Sequence, residues 1–502
     1  MPLLLGIDIG TSSVKAALFD PENAALVGVA AAEYPIHKPA PDRAEQDASD
    51  WWHAAVKAVR AALDKAARRD VVAIGLSGQM HGGVLLGADD QPVHPAIIWA
   101  DQRSSAEADW LVEMFGADAY AALAGTLPAV GFMGPSLLWL QRHAPAVLDR
   151  ARVVLMPKDY VRFRLTGERA TDITDAAATG LLDVVRGQWA TALLDRAELP
   201  EHLLPPVLGS AQVAGRLHKD AAAELGLAAG IPVVAGCADQ PAQAIGNGLI
   251  APGKASVTTG SGGQVFTPVT LRDRKLATDP RLHVFNHAVP ETWYVLGAIL
   301  AAGLNLRWLR GLTGLDADAD AYARFSAEAA DLPPGADGLL YLPYLYGERT
   351  PHMDPFARGA FVGLGFHHGR GHLARAIMEG VAFALRQSLE LSLALGGEVD
   401  VVIAAGGGAS SPVWRRIQAD IFGLPLRQSL LPEQASLGAA LLGGVGAGLW
   451  PDIASASASV VAYGPPTVPD TARHARYNAL YAQFVGLYPT LKADMHHLSR
   501  GV

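Results

Sequence analysis

The chain has 502 residues, half of them hydrophobic and only 18% charged, with a formal net charge of -9. That length exceeds what one hydrophobic core usually fills, and the apolar content excludes a disordered chain. The mildly acidic balance leaves no basic footprint for nucleic acid or anionic lipid, and the single cysteine, Cys237, excludes an intramolecular disulfide framework or a multi-cysteine zinc site.

Leu3 to Ile7 is an apolar run closed by Asp8 and reads as a buried strand, followed by strands at Val14–Phe19 and Leu26–Ala32. The opening MPLLLGIDIG has no basic region of the kind a secretory leader carries. Trp51 to Arg69 is helical in pattern, with Asp47, Ser49 or Asp50 as candidate caps and Arg68 and Arg69 as a solvated end. Val71–Leu76 is a strand that runs into the loop SGQMHGG, residues 77–83, and further strands are expected at Val153–Met156 and Ile231–Ala235. In the second half, Leu373–Leu395 reads as a long helix and Val399–Ala404 as a strand ending in AAGGGASSP. Ser411 should cap a helix that begins at Pro412. Ala435–Leu449 reads as a small-residue helix packed closely against something, and Leu437–Trp450 is too short to span a bilayer. Alternating strands and helices predict an α/β fold.

The chain also repeats itself. LLLGID with Gly10, Thr11 and a following strand is matched downstream by IPVVAGCAD, residues 231–239, and then by ASVTTGSGGQVF, residues 255–266. A duplicated fold with a cleft between its copies is the expectation, with the boundary near Ala244–Gly246. Two nucleotide motifs mislead. GLIAPGKA has P-loop spacing but carries Ala255 where a metal-binding Ser or Thr belongs, and GNGLIA, residues 246–251, falls in an expected helix without a βαβ unit.

DIGTSSVK is the more informative segment. A glycine turn between strands brings backbone N–H groups to phosphate oxygens, Thr11, Ser12 and Ser13 add hydroxyls, and Asp8 can hold a hydrated Mg2+. TTGSGG, with Gly260 and Ser261, is the matching turn, and Gly407 and Gly408 offer bare backbone against which an adenosine can lie. Cys237 fits a small core residue, and His367 and His368 a surface pair.

Together these segments resemble the sugar kinase, actin and heat-shock ATPase superfamily, and within it the FGGY carbohydrate kinases, over nearly the whole chain. GAFVGLGFHHGRGHLARAIMEG, residues 359–380, is similar to that family's C-terminal pattern. FMGPSLLWLQRH, residues 132–143, resembles the N-terminal one but has Ser136 where the family usually carries Lys. GERTPH, residues 347–352, and PKDYVRFRLTGE, residues 157–168, also look like family segments. LSGQMHGGVLL, IIWADQR and the Asp-Trp-Trp of 50–52 are similar to the xylulokinase subfamily. The resemblance implies duplicated ribonuclease H-like, actin-like ATPase domains, residues 1–244 and 245–502, with a catalytic cleft between them. It further implies a cytoplasmic enzyme that takes ATP, Mg2+ and a small sugar, with no nucleic-acid or membrane partner. Similar enzymes are commonly homodimers, although no interface residues stand out.

Carried over residue by residue, the resemblance makes Asp239 of GCADQ the base that accepts the sugar hydroxyl proton, and Asp8 and Asp239 the metal-linked carboxylates. Gln79, Met80, His81 and Gln240 would contact the sugar, Gln240 standing where xylulokinases often have Asn. Gly10, Thr11, Ser12, Gly260 and Ser261 would surround the phosphates, and Gly407 and Gly408 the adenosine. Trp51 and Trp52 are candidates for the sugar pocket, one of them more simply core.

Overall fold

The opening apolar run forms a strand, β1 (Leu3–Ile9), that turns through residues 10–12 into β2 (Ser13–Asp20) and continues to β3 (Ala25–Glu33). These coordinates are a computed structural model describing residues 2–271 and 276–500. After helix α1 (Ala48–Ala66) come β4 (Val71–Gly78) and, much later, β5 (Pro232–Val234). Along the sheet the order is β3-β2-β1-β4-β5, with β1, β4 and β5 mutually parallel. β1 is buried along almost its whole length, which is why it is a continuous apolar run instead of an alternating one. Helix α1 starts at Asp47, whose side chain accepts from the Ser49 backbone N–H at 2.8 Å.

Helix α2 (Asp239–Gly246) leads into the second half, and the same plan returns. The strands are β6 (Gly253–Thr259), β7 (Gly263–Val269), β8 (Trp293–Ile299), β9 (Val399–Ala405) and β10 (Leu426–Gln428). Their order is β8-β7-β6-β9-β10, with β6, β9 and β10 mutually parallel. Helix α3 (Arg370–Ala394) takes the place of α1 between the third and fourth strands. Helix α4 (Pro412–Phe422) begins where expected, with the Ser411 hydroxyl accepting from the Trp414 N–H at 3.2 Å. A five-strand core is therefore duplicated in the ribonuclease H-like arrangement, but IPVVAGCAD is not the counterpart of LLLGID. Its strand, β5, belongs to the first sheet, the counterpart of β1 is β6, and each sheet carries a further strand, at residues 213–216 beside β5 and at residues 283–286 beside β8.

The last piece is the small-residue helix, α5 (Gln434–Gly446). It lies on the first sheet: a Cβ on Gly75 would sit 1.8 Å from the Ala439 carbonyl oxygen. It also crosses α2, where a Cβ on Gly438 would sit 2.0 Å from the Ala242 oxygen. In exchange, Ala244 of α2 packs in one cluster with Phe266 and Ile403 of the second sheet. Each half thus helps to cover the other's sheet, and backbone proximity along this seam excludes side chains.

Three further sequence expectations change. Trp51 and Trp52 are both fully buried, not in a pocket: Trp51 Nε1 donates to Gln46 Oε1 at 3.1 Å and Trp52 Nε1 to Glu224 Oε2 at 3.0 Å. Helix α1 stops at Ala66 with left-handed Ala67, so Arg68 lies past its end and pairs with Asp70 at 2.7 Å and Asp20 at 3.0 Å. Of GNGLIA, only Gly246 is helical. Among the described residues no helix is long and apolar enough to cross a membrane.

Candidate active site

Parallel pairing sets the centre. β1 and β4 place Asp8 opposite Ser77, and the short strand Cys237–Ala238 pairs with β4 at the same Ser77. Asp8 and Asp239 therefore arrive at one edge, at the carboxyl ends of neighbouring strands, where open α/β sheets place their ligands. Asp239 begins α2, and its Oδ1 is shut from solvent with no hydrogen-bond partner. Burial first, then repulsion from Asp8, push its carboxyl up to about 7, opposed by hydrogen bonding from Gln240. Asp8 is also raised by burial, against the Ser77 hydroxyl that donates to it at 2.6 Å and the charge of Lys15. Lys15 itself pairs across the halves with Glu433 at 2.8 Å.

The turn after β1 is held from three sides. Tyr34 donates its hydroxyl to the Gly10 carbonyl, Gln46 Nε2 donates to the Thr11 carbonyl at 2.7 Å, and Trp99 Nε1 donates to Thr11 Oγ1 at 3.0 Å. Ser12 is left exposed at the tip. The equivalent turn after β6 is held by the Ala302 N–H on the Ser261 carbonyl and the Gly303 N–H on the Gly260 carbonyl, both 2.8 Å.

Two cavities flank this second hairpin. One, of about 540 Å³, is lined by Gly260, Ser261, Gly407, Gly408, Tyr322 and Trp414. Its wall depends on Gly406, which has φ +78° and would place a Cβ 2.7 Å from the Thr259 oxygen. The other, of about 390 Å³, brings together Gln79, Met80, His81, Asp239, Gln240 and Thr11, with Gln264 from the second half. Asp8, Gly10 and Ser12 line neither cavity but belong to the same strand end and turn. A larger space of about 710 Å³ lies apart, beside residues 207–212 and 286–293, and holds none of these groups.

His81 is shaped for recognition. Its φ is +73°, and its ring stacks on Phe132 at 3.9 Å between centroids. Nδ1 lies 2.7 Å from the Ala178 carbonyl, which can only accept, so Nδ1 carries the proton. Burial pushes its pKa down to about 4, so the ring is neutral near pH 7 and Nε2 is a bare acceptor. Gln79 donates to Gln46 Oε1 at 2.8 Å and keeps its own buried Oε1 without a partner.

Sequence reasoning missed several members. Trp99, His283 and Arg349 line the 390 Å³ cavity, and Ser77 supports Asp8. All but His283 lie in segments singled out from the sequence, yet nothing in those segments alone showed that they meet. The two carboxyls at one edge, one with an orphaned buried oxygen, form a donor set that suits a hydrated divalent cation, which prefers carboxylates plus water and phosphate.

Residues 3–246 match the N-terminal domain of the FGGY family of carbohydrate kinases, and residues 255–447 match its C-terminal domain. A xylulose kinase of Bacillus subtilis is 33% identical over 98% of both chains. A gluconokinase of the same organism is 30% identical over 88% of this chain and 86% of its own. The solved xylulose kinase of Rhodospirillum rubrum superposes with a TM-score of 0.91 at 32% identity, covering 98% of this chain and 100% of that one.

Proposed function

The chain belongs to the FGGY family of carbohydrate kinases, and from that premise we propose that it transfers the γ-phosphoryl group of ATP to the terminal hydroxyl of D-xylulose, giving D-xylulose 5-phosphate. The observation that carries this reading is Asp239, a buried carboxyl with an unpartnered Oδ1 that lines one cavity with Met80, His81 and Gln240.

In this reading Asp239 accepts the proton of the sugar hydroxyl as that oxygen forms its bond to phosphorus and the bond to the leaving ADP oxygen breaks. The carboxyl's pKa of about 7 keeps it poised between holding and releasing that proton near neutral pH. Asp8 and Asp239 would hold Mg2+, which when bound supplies charge neutralisation for the phosphates. Thr11, Ser12 and Ser261 would donate backbone and hydroxyl hydrogens to phosphate oxygens from both sides of the cleft, while Gly10 and Gly260, whose own N–H groups close the turns on the Ser13 and Gly262 carbonyls, would let the phosphates approach the bare backbone. Gly407 and Gly408 leave room for adenosine in the 540 Å³ cavity. Met80, the His81 Nε2 acceptor, Gln79 and Gln240 orient the sugar. Closure of the halves would exclude water that otherwise competes for the phosphoryl group.

A panel of D-xylulose, ribulose, glycerol, a deoxy sugar and gluconate, read by coupled ADP release, tests the substrate. D-xylulose should give the highest kcat/KM, and a different winner would overturn the assignment in favour of another kinase specificity. Gluconate belongs in the panel because a gluconokinase is among the relatives.

A further inference from the structure

One charged group in the sugar cavity has no task in the mechanism above. Arg349 lines the same cavity as Asp239 and His81 and is exposed to it. Among the described residues its guanidinium has no hydrogen bond and no ion pair, although its backbone is firmly held. The Arg349 N–H donates to Glu348 Oε1 at 2.7 Å, and the Leu300 N–H donates to the same oxygen at 2.9 Å. The Thr350 N–H donates to the Ala298 carbonyl at 3.0 Å, and the Met353 N–H to the Arg349 carbonyl at 2.6 Å. The segment is thus fastened to the end of β8 and presents a rigidly based, unpaired cation to the pocket.

The neighbouring carboxyl does not cancel it. Burial pushes Glu348 up to about 8, so it is largely protonated at neutral pH, and its Oε2 is orphaned. Arg349 lines one cavity with His81 and His283, and its charge is among those that depress both histidines. Gln79 Oε1 and the bare His81 Nε2 accept, Gln102, Gln240 and Gln264 add neutral amide donors, and Arg349 is the one Arg or Lys among the described lining residues. A substrate oxygen that can only accept therefore finds its charged donor there, a guanidinium with five N–H groups in a planar fork.

The geometry points to Arg349 as a specificity-determining residue of the sugar pocket, donating to a carbonyl or carboxylate oxygen of the substrate and disfavouring polyols that lack one. This rests on the sugar-kinase reading of the pocket. The chemistry it recognises is an acceptor-only oxygen, whether a ketose carbonyl or a sugar-acid carboxylate.

The test uses the full-length enzyme, its Arg349→Gln and Arg349→Lys variants, and steady-state ADP release. Because the guanidinium has no structural partner, both variants should melt within about 1 °C of the parent chain. Losing a charged hydrogen bond should raise the KM of the ketose about 10- to 100-fold in Arg349→Gln, with the KM of ATP unchanged and partial recovery in Arg349→Lys. The inhibition constant of xylitol, which lacks the carbonyl, should stay within about threefold. An unchanged ketose KM, or an equal loss for ketose and xylitol, overturns the proposal. So does a loss confined to kcat and ATP affinity, which would assign Arg349 to the phosphoryl group. Comparing D-xylulose with D-gluconate in the parent enzyme identifies which acceptor is native. If neither is turned over but another sugar is, the substrate assignment fails while the same variants test Arg349 on that sugar.

Discussion

Replacing Asp239 by Asn should destroy the kinase and stabilise the fold. The carboxyl ionises near 3.8 in an unfolded chain and near 7 in the native one. Between those values the native state holds a proton that the unfolded state has released, so the parent chain loses stability as pH rises, and the loss is complete above about 7. A shift of roughly 3 units corresponds to about 4 kcal/mol, and water in the adjoining cavity can relax part of it, leaving about 2–4 kcal/mol. Asn keeps the shape and removes the charge. Urea or thermal unfolding of both proteins without nucleotide, at pH 4.5 and pH 8, should show a difference of only about 1 kcal/mol at the lower pH. At the higher pH the variant should be more stable by several degrees, at about 2 °C per kcal/mol for a cooperative unit of roughly 250 residues. Sugar phosphorylation should fall more than tenfold while ATP binding persists. A variant no more stable at pH 8, or equally stabilised at both pH values, would refute the claim that this carboxyl is held desolvated with one oxygen unpartnered.

For the parent enzyme, kcat/KM for the sugar should rise with pH and level off above about 7, as Asp239 loses its proton, and a profile flat from pH 5.5 to 8 would exclude it as the base. Gly75→Ala should cost about 3 kcal/mol or more, because its methyl would lie 1.8 Å from the Ala439 oxygen, and denaturant midpoints would reveal this directly. Gly407 has nothing within 4 Å of where a side chain would start, so Gly407→Val should fold normally. That variant should raise the KM of ATP about tenfold without altering the KM of the sugar, since its side chain would fill the nucleotide cavity.

What was legible in the sequence was what local pattern controls. Strands buried on both faces leave unbroken apolar runs, so β1 and β5 and the glycine turns could be placed. An apolar run ending in Gly and Asp does not say which sheet it joins, however, and IPVVAGCAD matched LLLGID in pattern while β6 is the true counterpart of β1. Caps at Asp47 and Ser411 are equally local. Tryptophans at 51 and 52 were harder, because adjacent helical positions seldom both face inward. Here α1 is covered on more than one side, and Gln46 and Glu224 satisfy the two indole N–H groups. The pocket's indole is Trp99, fastened to Thr11, which only the folded chain brings near. Ser77 under Asp8 is a consequence of parallel register. His283 and Arg349 come from the second half, and no spacing within their own segments reports that they face His81.

The crossing of α2 and α5 bears on how such a chain can diversify. Its halves are not interchangeable cassettes, because a transplanted first half must offer a sheet without side chains where α5 lies, and its partner a helix bare at Gly438. Loops around the sugar pocket can exchange residues one at a time, whereas along this seam a change on one side needs a matching vacancy on the other. Chimaeras with a related enzyme should therefore fail to assemble or succeed according to that seam, even when every pocket residue is retained.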